Sequence, residues 1–225
     1  MLYQNVRGLR TKTQDVYRNI AVNNYDIIIL TETWLNSSIS SSELFDTRYT
    51  VYRRDRETAK LNIKSDGGGV LIAVKTNIFS NRVCNWESDC EDLWVVVDVP
   101  HFNSIRHIAF CSIYIPPPVN KKLFDTFLNN CNRVSEQHNM LTCIIGDFNL
   151  SCISWNVSLN PADYNIPPAQ RLLDFISGNG LRQCNYVLNN RQKILDLVLV
   201  DLPVCSVSYS YNPISNIDPM HPPLE

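Results

Sequence analysis

Leu141-Thr142-Cys143-Ile144-Ile145-Gly146-Asp147-Phe148-Asn149-Leu150 begins with apolar residues on consecutive positions, then turns abruptly to an acid and an amide. A half-buried strand would alternate. A run apolar at every position has both faces covered, so it needs a layer on each side. The stretch before it is helical. Leu123, Phe124, Phe127, Leu128, Cys131 and Val134 share one stripe between Lys121 and Glu136, with Asn120 in the capping position. Further out, short β-branched strands are expected at Asp26 to Leu30, Gly69 to Val74, Leu93 to Val99, His107 to Ile115 and Ile194 to Val200. Two more helices are expected, over Ala169 to Ser177 and Thr13 to Val22, the former stopped by Gly178 and Gly180. The order is neither a strict βαβ alternation nor all-β. It predicts an α/β domain of two face-to-face sheets with helices outside. Asn36 to Glu43 and Arg53 to Asp66 read as surface loops. With no linker, repeat or low-complexity tract, residues 1–225 read as a single domain.

Composition excludes several classes. The chain has 225 residues, 44% hydrophobic and 19% charged, which suits a packed core and not a disordered chain. No apolar run approaches the roughly 20 residues of a membrane span. Met1-Leu2-Tyr3-Gln4-Asn5 turns polar too soon for a signal peptide, so an intracellular protein without a membrane partner is expected. A net charge of -2 excludes tight non-specific nucleic-acid binding, but not an enzyme that touches a few phosphates. The eight cysteines contain no Cys-x-x-Cys pair and several sit in apolar runs. They read as reduced thiols, without the spacing of a zinc site.

The chemistry lies where polar residues end apolar strands. Asn5 follows the opening strand-like residues, Glu32 follows Ile27 to Thr31, Tyr114 ends the run from Ile108, and Asp147 and Asn149 follow Ile145-Gly146. Asp196 stands between Leu195 and Leu197, where a bare carboxylate would cost several kcal/mol. Glu32, Asp147 and Asp196 with Asn5 and Asn149 form an all-oxygen set, which selects Mg²⁺, Mn²⁺ or Ca²⁺ over zinc. Gly67-Gly68-Gly69 lacks the following Lys-Ser/Thr of a phosphate-binding loop and reads as a tight turn. Kinase and NTPase chemistry are unsupported; phosphoester hydrolysis remains. His221 lies in the prolyl segment Asp218-Pro219-Met220-His221-Pro222, close enough to Asp218 for that carboxylate to accept its Nδ1 hydrogen.

Taken together, these motifs resemble the endonuclease/exonuclease/phosphatase superfamily, which includes AP endonucleases, pancreatic-type DNases and inositol-phosphate phosphatases. Within it, the chain is most similar to the endonuclease domain of LINE-type, jockey-like non-LTR retrotransposons. The residues that carry the resemblance are Gln4 to Arg10, Thr31-Glu32-Thr33-Trp34-Leu35, Arg54-Asp55-Arg56 with Gly67-Gly68-Gly69, Tyr114-Ile115-Pro116-Pro117, Gly146 to Leu150, Leu195 to Leu199 and Asp218 to Leu224. The resemblance implies a four-layered, DNase-like α/β sandwich. It implies Mg²⁺ (Mn²⁺ as an alternative) at Glu32 with Asn5 beside it, Asp147 acting on the attacking water, and Asn149 on a phosphate oxygen. Tyr114 would contact the scissile phosphate. His221 would be base or transition-state stabiliser, with Asp218 as its partner. Asp196 would form a wall near the leaving group or a second metal position. Asn185 stands where some relatives have Thr and would contact phosphate, as would Arg54 and Arg56, joined by Arg53, Lys60 and Lys64. The expected product is a DNA nick with a 3′-hydroxyl that primes reverse transcription of element RNA by a reverse transcriptase domain following this one, in the nucleus. An AP endonuclease or phosphatase on the same fold and a decayed, inactive copy are the alternatives. In most relatives the acid and histidine are contiguous; here the acid stands three positions before the histidine.

Overall fold

The computed structural model describes residues 1–56, 67–101, 104–137, 140–155 and 164–225. Lys60, Lys64 and most of the expected loop Arg53 to Asp66 lie outside the described residues.

Among the described residues, ten strands and three α-helices are arranged in four layers. The first sheet has the order β1-β2-β4-β3, built from β1 (Leu2–Asn5), β2 (Ile27–Thr31), β4 (Val70–Lys75) and β3 (Tyr49–Arg54). The second has the order β5-β6-β7-β8-β10-β9. Its strands are β5 (Ser80–Arg82), β6 (Glu91–His101), β7 (Ser104–Tyr114), β8 (Leu141–Asp147), β10 (Asp196–Val200) and β9 (Arg182–Gln183). Helix α1 (Thr13–Asn23) covers the outer face of the first sheet; α2 (Lys121–Gln137) and α3 (Pro167–Gly178) cover that of the second. Among the described residues, no helix is long and apolar enough to cross a membrane.

The continuous apolar runs follow from this layering. In β8, Cys143 and Ile145 enter the core between the sheets while Ile144 packs under the helices. In β4, Val70, Ile72 and Val74 face the second sheet while Leu71 and Ala73 face α1. Each face of each central strand is thus buried against a different layer. The expected cap of α2 is present, with Asn120 Oδ1 accepting from the backbone N–H of Leu123 at 3.2 Å. All eight cysteines are free, four of them buried as small apolar groups.

Two expectations are corrected here. Arg53 and Arg54 are not loop residues but the end of β3, paired with β4 through Arg53↔Leu71 and Arg54↔Val70. Their charges are met by Asp55 and Asp92, so the strand continues where composition suggests a break. Asp196 does not interrupt a strand: it opens β10, directly opposite Asp147 of β8.

Candidate active site

One sheet register assembles most of the cluster. Tyr114 at the end of β7 pairs with Asp147 at the end of β8, and Asp147 pairs with Asp196 at the start of β10. Three chemical groups thus stand side by side on neighbouring strands. On the facing sheet, Asn5 pairs with Thr31, and Glu32 follows immediately. The sheets are packed so that Asn5 Nδ2 donates across the gap to Asp147 Oδ2 at 3.1 Å and to Glu32 Oε1 at 3.3 Å.

The backbone around Glu32 is unusual. Glu32 and Trp34 have φ of 53° and 54°, a left-handed region that L-residues seldom occupy outside constrained sites. This turns the Trp34 indole N–H back to Glu32 Oε2 at 3.2 Å. Asn149 is also left-handed, at φ 52°. Its backbone N–H donates to Asp147 Oδ1 at 3.0 Å, and its side-chain amide is fixed on the Ile115 carbonyl at 2.9 Å.

Two carboxylates opposite one another in adjacent strands repel. Here the repulsion is partly relieved. Tyr3 donates its hydroxyl to Asp196 Oδ1 at 2.6 Å, and His221 Nδ1 meets Asp196 Oδ2 at 2.9 Å. His221 Nε2 then faces Asp147 Oδ2 at 3.7 Å. Burial and the nearby Asp196 charge hold the Asp147 carboxyl well above the usual carboxylate range. Burial works against a charged His221, but the Asp196 charge and hydrogen bond, helped by Asp147 and Asp218, push the imidazole up to about 9. The Tyr114 phenol is raised by burial and by the charges of Glu32 and Asp147, so it stays a neutral hydroxyl.

Several expected assignments change. Asp218 is not the side-chain partner of His221. Its Oδ1 accepts the Met220 N–H at 2.9 Å, its Oδ2 takes Arg7 at 3.0 Å, and only its backbone carbonyl meets the His221 N–H. The two residues close a tight turn, which aims the imidazole away from Asp218 and onto Asp196. Both side-chain oxygens of Asp196 are occupied, one by the Tyr3 hydroxyl and the other by His221. Asn185 is buried, and its amide is spent on the Asp196 backbone carbonyl at 2.7 Å, which rules out the expected phosphate contact. Arg54 is tied to Asp92 at 3.0 Å. Arg56 is buried on Glu91 at 2.6 Å, with its guanidinium 5.6 Å from the centre of the Tyr114 ring. Both arginines are held by buried acids of β6.

Tyr3, Trp34 and Glu91 are participants that sequence reasoning missed. The signal for Tyr3 was available: it lies two residues before Asn5 and so shares its face of β1. The other two depend on packing alone.

The donor set suits a hard divalent cation. Asp147, Asp196 and His221 have ligand atoms within 4.8 Å of one another, but Asp196 is already committed to Tyr3 and His221. Glu32 and Asp147 are carboxylates on either side of Asn5, and the repulsion between their charges is what a divalent ion would relieve.

A model of the Endonuclease/Exonuclease/phosphatase family matches residues 2–217. No curated protein matches the chain. Among solved structures, the endonuclease domain of TRAS1, a telomere-specific non-LTR retrotransposon, is similar with a TM-score of 0.68 at 12% identity, over 99% of this chain and 94% of that one. The AP endonuclease LMAP from Leishmania major gives 0.69 at 12% identity, over 99% and 85%. The 3′ phosphatase NExo from Neisseria, solved with a product DNA hairpin, gives 0.62 at 14% identity, over 99% and 96%. At such identities the likeness is one of fold.

Proposed function

The chain belongs to the endonuclease/exonuclease/phosphatase family, and on that premise we propose that it is a Mg²⁺-dependent endonuclease that nicks DNA and leaves a 3′-hydroxyl. The observation that carries this reading is the row Tyr114, Asp147, Asp196 with His221 above it and Glu32 and Asn5 opposite.

Glu32, with Asn5 and Asp147 beside it, would hold Mg²⁺ (or Mn²⁺). Bound there, the ion supplies Lewis acidity to a phosphoryl oxygen. The chain's own groups account for the rest. Asp147 accepts the proton of an attacking water. Asn5 and the Asn149 backbone hold its two oxygens in place. As water attacks phosphorus the P–O3′ bond breaks, and the departing oxygen becomes a hydroxyl on taking a proton from solvent, to which Asp147 returns the one it gained. His221, charged near neutral pH, stabilises the growing negative charge; a ring already protonated is poorly suited to serve as base. Tyr114 offers a neutral O–H to the same phosphate, and the second hydrogen of the Asn149 side-chain amide, the one not given to Ile115, is a further donor.

The motif Thr31-Glu32-Thr33-Trp34-Leu35 favours a retroelement role, in which the 3′-hydroxyl primes copying of element RNA in the nucleus by a reverse transcriptase. The similarity to the TRAS1 domain supports it. The test is nicking of supercoiled plasmid with Mg²⁺ or with EDTA, followed by polymerase extension from the nick. Extension without prior phosphatase treatment is expected. Glu32→Gln should abolish nicking, and Asp147→Asn should slow it by roughly 10²-fold or more. Inactivity on plasmid with turnover of abasic duplex or of a 3′-phosphate end would instead favour an AP endonuclease or phosphatase.

A further inference from the structure

Arg7 stands two residues after Asn5, and its backbone N–H donates to Asn5 Oδ1 at 3.3 Å. Arg7 and Gly8 both have positive φ, at 42° and 90°, so the chain turns sharply beside the active cluster. The Arg7 guanidinium rests by one nitrogen, Nη1, on Asp218 Oδ2 at 3.0 Å. The pair is lopsided: the Asp218 side chain is 7% exposed, the Arg7 side chain 59%. Asp218 is rigid, because its Oδ1 is fixed by Met220 N–H and its carbonyl by His221 N–H. The guanidinium is therefore held against the turn that carries His221, with most of its surface open.

We propose that Arg7 binds a backbone phosphate of the DNA at the mouth of the site, and that Asp218 is the positioning residue that aims it. The inference rests on the nuclease reading. A cluster of Glu32, Asp147 and Asp196 repels a phosphodiester, and Arg53, Arg54 and Arg56, each paired with an acid, do not offset this. Arg53 is turned onto Asp55, Arg54 onto Asp92 and Arg56 onto Glu91. Arg7 is poised differently. A guanidinium presents a planar fork that suits phosphate oxygens, and one pinned nitrogen lowers the ordering cost of a long side chain. As a fold-holding contact the pair would contribute little, since ion pairs with an exposed partner are weak.

The test separates binding from cleavage. Binding of a short fluorescent duplex is measured in EDTA over a series of KCl concentrations. Arg7→Gln is expected to weaken binding about 5–20-fold and to make the salt slope shallower by about one. Arg7→Lys should recover most of that loss, because it restores the charge. Unfolding midpoints of both should match the wild type. Asp218→Asn keeps the acceptor for Met220 N–H but breaks the Arg7 contact. It should slow Mg²⁺-dependent nicking with little loss of affinity, and by a smaller factor in an Arg7→Gln background, where only its share in charging His221 remains. Wild-type affinity and slope in Arg7→Gln would overturn the proposal. So would an Arg7→Lys protein as weak as Arg7→Gln, a common drop in both midpoints, or an Asp218→Asn defect of undiminished size without Arg7. A wild type that binds duplex in EDTA but fails to nick would strike the nuclease reading alone.

Discussion

His221 carries its proton because of its neighbours and not because of where it lies in the chain. Burial alone would discharge it; Asp196, Asp147 and Asp218 reverse the sign and push it up to about 9 from an ordinary 6.5. Asp147, ordinarily near 3.8, is raised as well, by burial and by Asp196. The consequence for stability has a definite sign. A histidine whose folded pKa is raised contributes stability that is complete below its unfolded pKa and is lost as pH climbs through the folded one. A carboxyl with a raised folded pKa favours the protonated fold, so it also loses stability as pH rises past its unfolded value. Both groups act in the same direction. In EDTA, the unfolding midpoint should therefore fall between about pH 6.5 and about pH 9, with on the order of 3 kcal/mol at stake for the imidazole. Asp196→Asn removes the leading source of attraction, so in that variant the fall should largely vanish and the histidine should titrate lower by NMR. A wild-type midpoint that is flat across this window, or an unchanged histidine in Asp196→Asn, would show that Asp196 does not charge His221.

At the scale of elements, the site depends on how closely β7 and β8 approach. Gly146 pairs with Ile113 one step before Tyr114 pairs with Asp147. A Cβ at Gly146 would be driven into the Ile113 carbonyl, so no larger residue fits without opening the seam. Gly146→Ala should destabilise by about 1–3 kcal/mol, as overpacking does. It should also cost more activity than the stability loss explains, because it displaces Tyr114 from Asp147. Urea unfolding together with plasmid nicking measures both, and an unchanged urea midpoint would mean that the seam is looser than its geometry. The turn before β4 is constrained in a similar way. Gly68 has a φ of 65°, and the Arg56–Glu91 pair lies directly where its side chain would go. The glycine run is a turn, as its composition suggests, but it also makes room for a buried ion pair beside Tyr114.

For the whole molecule, the two ends of the chain are joined. Tyr3 and Leu224 exchange both backbone hydrogen bonds at 2.9 Å, Ser210 donates to the Pro223 carbonyl, and Ser208 and Glu225 pair next to them. The segment after His221 therefore lies beside β1, whose Tyr3 holds Asp196 and whose Asn5 holds Glu32 and Asp147. This anchors the turn that carries His221. Deleting Pro223 to Glu225 should lower the unfolding midpoint and remove most nicking even at saturating Mg²⁺, because His221 loses its tether. A truncated protein that nicks at the full rate would show that Pro219 and Pro222 alone fix the turn.

Much of this was legible from local pattern. The continuous run Cys143 to Ile145 required a layer on each face, and the helical stripe from Leu123 to Val134 required a sheet beneath it; both requirements are met. The acids and amides at strand ends announced an oxygen-rich cluster, because a carboxylate between leucines must find a partner wherever the chain goes. What the sequence could not state was which partner. Asp218 is near His221 along the chain, but Asp196, 25 residues away, receives the imidazole. Arg54 and Arg56 look free to meet phosphate until β6 brings Asp92 and Glu91 against them. Composition and periodicity fix which residues must be buried and which must be paired, since those costs belong to each residue separately. The pairing itself depends on strand register and on the packing of one sheet over the other, and these exist only once the whole chain has folded.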